Sequence, residues 1–295
     1  MEFPTHPIQE TGKRPTAALD RNLSYLSLVE VLYGYPIDGV ILTTGCDKTT
    51  PAALMASATV NIPSIVLSGG PMLDGNYKGK KAGSGTIIWE ARKLHAKGEI
   101  DYDEFMDMAA ASAPSIGHCN TMGTASSMNS IAEALGMSLP GGAIIPAPYK
   151  ERTDISFKTG KRIVEMVFEN LTPLKIMTKE AFENAVYVAS AIGASSNCPP
   201  HLTAIARHMG IDFNLDQWEK LGHRIPLLAN CQPAGEHLME GFFKAGGIPA
   251  IMKELIKDKK LNIKALTVTG KTIEENLNMK IDVNRDVIKS YENPL

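Results

Sequence analysis

A thiol, a carboxylate and an amine stand side by side at Cys46-Asp47-Lys48, within Gly45-Cys46-Asp47-Lys48-Thr49-Thr50-Pro51. A thiolate is a soft ligand suited to iron or zinc, and a carboxylate is a hard one suited to Mg²⁺. Adjacent residues point in different directions, so one turn can face two metal centres. A second thiol, Cys119, sits in Gly117-His118-Cys119-Asn120, ahead of a small-residue segment. A helix N-terminus lowers a thiol pKa and suits a ligand or a nucleophile. Each feature also has a plainer reading. Cys46 reads equally as a buried cysteine, with Asp47 capping the helix that starts at Pro51. Cys119 reads as one buried thiol among four, and no C-x-x-C spacing accompanies it. His118 reads as a ligand, a base or a satisfied loop histidine. Glu10, in Ile8-Gln9-Glu10-Thr11-Gly12, looks on its own like any surface acid.

Further along, Ser195-Ser196-Asn197-Cys198-Pro199-Pro200-His201 is a polar turn feeding a helix with two prolines in its first turn. Its backbone N–H groups can hold a carboxylate or phosphate, or it is an ordinary helix start. Cys198 and Cys231 read as structural thiols. Gly83-Ser84-Gly85 lacks the spacing of a dinucleotide fingerprint or a P-loop.

The elements that must position these residues alternate in type. Leu19 to Tyr33 has helical apolar spacing, Asp38 to Thr43 reads as a buried strand, Pro51 to Val60 as a helix and Ile62 to Leu67 as a second strand. That rhythm predicts an α/β fold, helix-rich, with a parallel sheet flanked by helices. The glycine-rich stretch Ser68 to Thr86 reads as a long loop. Asp101 with Glu104, and Asn214 with Gln217, are capping pairs. Helices are expected over 101–112, 121–135, 160–171, 179–192, 199–209, 215–221, 237–245 and 248–256. From Gly270 the chain is polar and reads as loosely packed.

With 295 residues and 44% hydrophobic composition the chain can bury a sizeable core. A net charge of −2 without a basic patch argues against nucleic acid as a partner. No run approaches the about 20 apolar residues of a membrane span, and the first residues do not read as a secretory signal. Four scattered cysteines are no disulfide scaffold and suit a reducing, cytoplasmic setting.

The longer motifs resemble one family. Gly45-Cys46-Asp47-Lys48-Thr49-Thr50-Pro51, Gly69-Gly70-Pro71-Met72, Gly117-His118-Cys119 with Met122-Gly123-Thr124-Ala125, and Glu133-Ala134-Leu135-Gly136 with Leu139-Pro140-Gly141 are similar to the dihydroxy-acid and phosphogluconate dehydratases. Pro233-Ala234-Gly235, Gly246-Gly247-Ile248-Pro249 and Thr267-Val268-Thr269-Gly270-Lys271-Thr272 continue the match over essentially the whole chain. The Asp47 to Pro51 and Ser196 to His201 segments look most like the pentonate branch, which acts on xylonate or arabonate. The resemblance implies a hydro-lyase that removes water across C2 and C3 of a sugar acid to give a 2-keto-3-deoxy acid. It implies a [2Fe–2S] cluster on three cysteines, of which Cys46 and Cys119 match two. It implies Mg²⁺ held by Asp47, a carbamylated Lys48 and Glu10, with Ser195, Ser196, Asn197 and His201 as substrate contacts and a homo-oligomer, dimer or tetramer, as the assembly.

Two departures shape the expectation. The family's first cluster cysteine lies upstream of the Glu10 segment, and only nine residues without a cysteine precede Glu10 here. The family's C-terminal domain, with its serine base and another Mg²⁺ acid, falls beyond Leu295. The expected organisation is therefore a cluster- and Mg²⁺-binding domain over 1–270 and a linker over 271–295 toward a β-rich domain, with no catalytic base in this chain and no activity from it alone. The rivals are a dihydroxy-acid dehydratase of branched-chain amino-acid synthesis, a non-catalytic remnant or subunit that binds a partner carrying the other parts, and a zinc protein, for which the cysteines lack the spacing.

Overall fold

The computed structural model describes residues 17–295, with side chains from residue 19 onward. Helix α1 (Ala17–Gly34) leads into β1 (Val40–Thr44), α2 (Thr49–Val60) and β2 (Ser64–Ser68). β1 and β2 pair in parallel from Val40↔Ser64 to Thr44↔Ser68, and a parallel pair needs a crossover, which α2 supplies. The helix-rich α/β class expected from the sequence is the one observed.

The stretch expected as a loop after Ser68 instead holds a hairpin, β3 (Gly75–Tyr77) against β4 (Lys80–Ala82). Its two-residue turn puts both Lys78 and Gly79 at positive φ, and Asn76 Oδ1 accepts from Gly79 N at 3.0 Å. That geometry favours Asn-Gly or Asp-Gly, so Lys-Gly gives little signal. α3 (Thr86–Ala96) lies where the sequence reading places no element. It packs with α4 (Tyr102–Ala111) over Ala82, Ile87, Ala91 and Met108. Asp101 caps α4 as its spacing predicts, accepting from Glu104 N at 2.8 Å.

α5 (Thr124–Ala134) is buried from Ala125 to Ala134, and α2 from Thr50 to Ala58. Both are rich in Ala, Ser and Thr, so their neighbours approach closely without steric conflict. α6 (Lys150–Glu169) begins at Lys150 rather than Gly160, because its charged first turns carry no apolar stripe. α7 (Pro173–Ile176) is a single turn before α8 (Lys179–Ala191), α9 (Cys198–His208) and α10 (Leu215–Gly222). The expected Asn214–Gln217 capping box opens α10. α11 (Met239–Lys244), α12 (Gly247–Lys257) and α13 (Ile273–Leu277) complete the described elements.

α8 is the wall between two cores. Phe182 and Val186 pack with Leu54, Ile65, Met128 and Ile131. Val188 and Ile192 pack with Phe242, Ile251, Leu255 and Ile288. The second core corrects the expectation of loose packing beyond Gly270. Thr272 and Glu275 form a capping box, Ile273 and Leu277 are buried, and Asn230 N donates to Val287 O at 2.8 Å. Apolar residues are too sparse in that segment to show a period, so only its long-range pairing reveals it. Ile288 is fully buried. Ile288→Ala should lower the unfolding free energy by about 2–5 kcal/mol in urea titration; a change below about 0.5 kcal/mol would mean the segment adds nothing to the core.

Candidate functional site

Both parallel strands end on the same side, and their C-terminal ends carry the site, where α/β folds usually place ligands. The turn after β1 holds Cys46. Thr49 Oγ1 accepts from Cys46 N at 3.2 Å and donates to Cys46 O at 3.1 Å, and Thr50 N closes the first helical bond to the same carbonyl. Asp47 does not cap α2. The N-cap is Lys48, without a side-chain cap bond, and Asp47 instead pairs with Lys48 Nζ at 2.6 Å. Lys48 is 1% exposed, a depth at which a charge needs a partner. The reading of Asp47 as a simple helix cap is thereby corrected.

The turn after β2 carries Gly69-Gly70-Pro71. Gly70 has φ +87°, and a Cβ there would collide with the Ile145 carbonyl. This close approach lets Gly70 O accept from His118 N at 3.0 Å and His118 O accept from Met72 N at 2.9 Å. On the other side of Cys119, Asn120 Nδ2 donates to Leu73 O at 2.8 Å and its Oδ1 accepts from Ser84 N at 2.8 Å. Gly83-Ser84-Gly85 is thus a clasp for Asn120. Cys119, pinned on both flanks, is exposed.

Asn129, in the middle of α5, joins the two thiol turns. Its Oδ1 accepts from Thr44 Oγ1 at 2.9 Å and Thr50 Oγ1 at 3.4 Å. Its Nδ2 donates to Ala125 O at 2.9 Å and, more weakly, to Gly45 O at 3.4 Å and His118 Nε2 at 3.5 Å. His118 Nδ1 donates to Cys119 O at 3.0 Å, so Nε2 is the bare acceptor of the ring. Burial, aided by Arg152, pushes the His118 pKa down to about 4 and keeps the ring neutral. Cys46 and Cys119 lie within electrostatic reach: burial first, then Asp47, then Cys119 help push the Cys46 thiol up to about 12.

The Ser195–His201 turn docks on the start of α5. Ser195 Oγ lies 2.7 Å from Thr124 Oγ1, Asn197 Nδ2 donates to Thr124 Oγ1 at 3.1 Å, and Ser195 N donates to Ser127 Oγ at 3.0 Å. Ser196 is exposed. Of the two readings of this turn, its backbone bonds favour the ordinary helix start. Cys198 N and His201 N donate to Ser195 O and Asn197 O, and the two residues between are prolines without N–H groups. What this turn offers is side chains. His201 is 5% exposed and its neighbours include Arg21, Lys48 and Asp47. Burial first, then Arg21 and Lys48 against the opposing Asp47, lower its pKa to about 4.

Glu10 lies outside the described residues. Among the described residues no group of three or more His, Cys, Asp and Glu side chains gathers closely enough to hold a metal ion. The donors present are two thiols from separate turns and one carboxylate paired with a buried amine. All four cysteines are free, with Cys198 and Cys231 buried as structural thiols. Among the described residues no helix is long and apolar enough to cross a membrane.

Sequence reasoning missed Asn129, Arg152 and Glu133. For Asn129 and Glu133 the available signal was polarity inside the otherwise small-residue α5, whereas Arg152 lies in the charged first turn of α6 and carried no signal. Arg152, 9% exposed, donates to Ser68 O at 2.6 Å, to Gly142 O at 2.9 Å and to Ile145 O, and so clamps the Gly70 crossing. Glu133 accepts from Gly141 N at 2.7 Å and Ala143 N at 2.9 Å. A cleft of about 190 Å³ opens beside Glu133, Gly141, Phe243, Gly246 and Lys280, and none of the expected site residues lines it.

Comparison with known proteins bears on this arrangement. The family described as dihydroxy-acid/6-phosphogluconate dehydratase, N-terminal, matches residues 1–276. The chain is 58% identical over its whole length to the D-xylonate dehydratase of Caulobacter vibrioides, covering 49% of that protein. It is 46% identical over its whole length to the L-arabinonate dehydratase of Rhizobium leguminosarum bv. trifolii, covering 51%. It is 42% identical over 91% of its length to a dihydroxy-acid dehydratase of Caldanaerobacter subterraneus subsp. tengcongensis, covering 48%. The chain spans about half the length of these curated relatives.

Two outcomes test this geometry. Burial raises Glu133 from 4.5 to about 7, so across that window the native protein keeps a proton the unfolded chain has released. Its contribution to stability is complete below 4.5 and is lost as pH rises to about 7. Glu133→Gln should flatten that part of the stability–pH curve in denaturant titrations. With N-ethylmaleimide at neutral pH, Cys119 should be labelled first, Cys46 slowly, and Cys198 and Cys231 only on unfolding, as peptide mass spectrometry would read.

Proposed function

The chain belongs to the dihydroxy-acid/6-phosphogluconate dehydratase family, and from that premise we propose that it supplies the cofactor-binding half of a sugar-acid hydro-lyase. The observation that carries this reading is that Asn129 bonds the Thr44–Thr50 segment around Cys46 and reaches His118 next to Cys119, beside the buried Asp47–Lys48 pair after β1. Identity favours a pentonate as substrate: 58% and 46% to relatives named for D-xylonate and L-arabinonate, against 42% to one named dihydroxy-acid dehydratase.

In this reading Cys46 and Cys119 are two of the ligands of a [2Fe–2S] cluster. Asp47, Lys48 and Glu10 hold Mg²⁺. When bound, the cluster supplies a Lewis acid for the departing C3 hydroxyl, and Mg²⁺ neutralises charge at the carboxylate and C2 oxygen. Lys48 can serve a cation only as an anion: the neutral amine adds CO₂ and releases a proton, giving a carbamate. Its burial beside Asp47 holds the nitrogen in place and excludes bulk water. Ser195, Ser196, Asn197 and His201 contact the sugar acid, and the α5 start orients their turn. The net reaction removes the C2 proton and the C3 hydroxyl as water, and the enol tautomerises to the 2-keto-3-deoxy acid, so no electrons are transferred overall. The base that takes the C2 proton belongs to the part of the relatives that this chain does not span. Four free thiols support a reducing cytoplasm as the setting, and a homo-oligomer is the assembly the family reading carries.

The test is iron, sulfide and magnesium analysis with a keto-acid assay on D-xylonate, L-arabinonate and a branched dihydroxy acid. It is run on this chain and on a protein of the relatives' length that contains it. The longer protein should turn over a pentonate and lose both cluster and turnover with Cys46→Ser or Cys119→Ser. Turnover of the branched acid alone would replace the sugar-acid reading. Turnover by this chain on its own would overturn its assignment as a half, and no turnover by the reconstituted longer protein would overturn the dehydratase reading.

A further inference from the structure

Among the described residues, nothing bonds one ring nitrogen of His201. Its Nδ1 lies 3.1 Å from Arg21 Nη1, and a guanidinium only donates. Nδ1 therefore accepts, and the ring hydrogen sits on Nε2. That Nε2 is buried and has no hydrogen-bond partner among the described residues. A buried donor left unmade costs about 1–3 kcal/mol, a penalty that persists where a ligand completes it. The packing explains how the ring comes to be there. α1 and α9 both pack on α2, so Arg21 from the first, Lys48 from the start of the second and His201 from the third meet at one corner. The charges around the ring are the cations of Arg21 and Lys48 and the anion of Asp47. Beside the Arg21 guanidinium, the Nε2–H donates best to an anionic oxygen.

We infer that Arg21 and His201 form an anion-receiving subsite beside Lys48, in which His201 Nε2–H donates to a carboxylate-type oxygen. Arg21 acts as the positioning residue that fixes the tautomer, and His201 makes the contact. Two sources share this chemistry: the carboxylate of the sugar acid, and the carbamate that CO₂ would build on Lys48. The inference rests on the dehydratase reading for the identity of the acid, but not for the existence of the donor.

The experiment uses the chain with ¹⁵N-labelled histidine and long-range ¹H–¹⁵N spectra of the imidazole nitrogens, with two probes. One is D-xylonate in CO₂-free buffer, and the other is ¹³C-bicarbonate without sugar acid. The free protein should show His201 as the Nε2–H tautomer, and Arg21→Leu should let the Nδ1–H form appear. At least one probe should move the Nε2 proton downfield. A response to D-xylonate assigns the substrate carboxylate. A response to bicarbonate, together with a new carbamate carbon signal that Lys48→Arg removes, assigns the modified lysine. For the probe that binds, His201→Ala should weaken affinity about tenfold or more, while His201→Gln, which keeps a donor near the Nε2 position, restores most of it. An Nδ1–H tautomer in the free protein, or a His201 ring that neither probe moves while the spectrum stays native, would overturn the subsite. These readouts need no turnover. Silence here with an active longer protein removes only the subsite, and a bicarbonate response beside an inactive longer protein removes only the dehydratase reading.

Discussion

Asn129 is the constraint on which the site depends. An amide offers two donors and a two-lone-pair acceptor, and in a buried position each must be used. Asn129, 1% exposed, accepts from Thr44 at the strand end and Thr50 at the helix start, donates to Ala125 O, and makes longer contacts to Gly45 O and the ring of His118. The two thiol turns come from segments far apart in the chain, and this one side chain registers them against each other. A hydrophobic contact could hold the same elements together but would not fix their rotation, because apolar packing has no directional preference.

The remaining buried charges follow the same logic. Lys48 is paired with Asp47, Glu254 with Lys257 and Arg285, and Arg152 is spent on three carbonyls. Arg152 and Glu133 hold the backbone beneath Gly70, on which the His118–Cys119 loop rides. A buried amine and carboxylate in contact add little stability that apolar residues of equal volume would not, so stability alone does not account for this pair. The His201 ring differs, because one of its nitrogens has no partner among the described residues.

Small residues make this concentration of polar groups affordable in space. α2 and α5 consist largely of Ala, Ser, Thr and Met and are buried almost from end to end. Their backbones approach neighbouring helices closely enough for short side chains to reach across. The two large cores lie on either side of α8 and carry the stability, leaving the strand ends free for chemistry.

Much was legible in the residues. The strand–helix–strand rhythm, the capping pairs at Asp101 and Asn214 and the order of the glycine and cysteine motifs all depend on local chemistry, which a sequence states directly. So did the pairing of a soft with a hard donor at Cys46-Asp47. The β3–β4 hairpin, the first turns of α6 and the packing of the chain beyond Gly270 were not legible, because each is stabilised by distant partners and carries no period of its own. At the site the same division holds. Residue types announced which donors were available. Only the tertiary structure decided that Asp47 pairs with Lys48 rather than capping α2, that the turn before α9 offers side chains instead of backbone N–H groups, and that Asn129 and Arg21 set the partners of His118 and His201. Hydrogen-bond partners are chosen by proximity and burial, and both are properties of the folded chain.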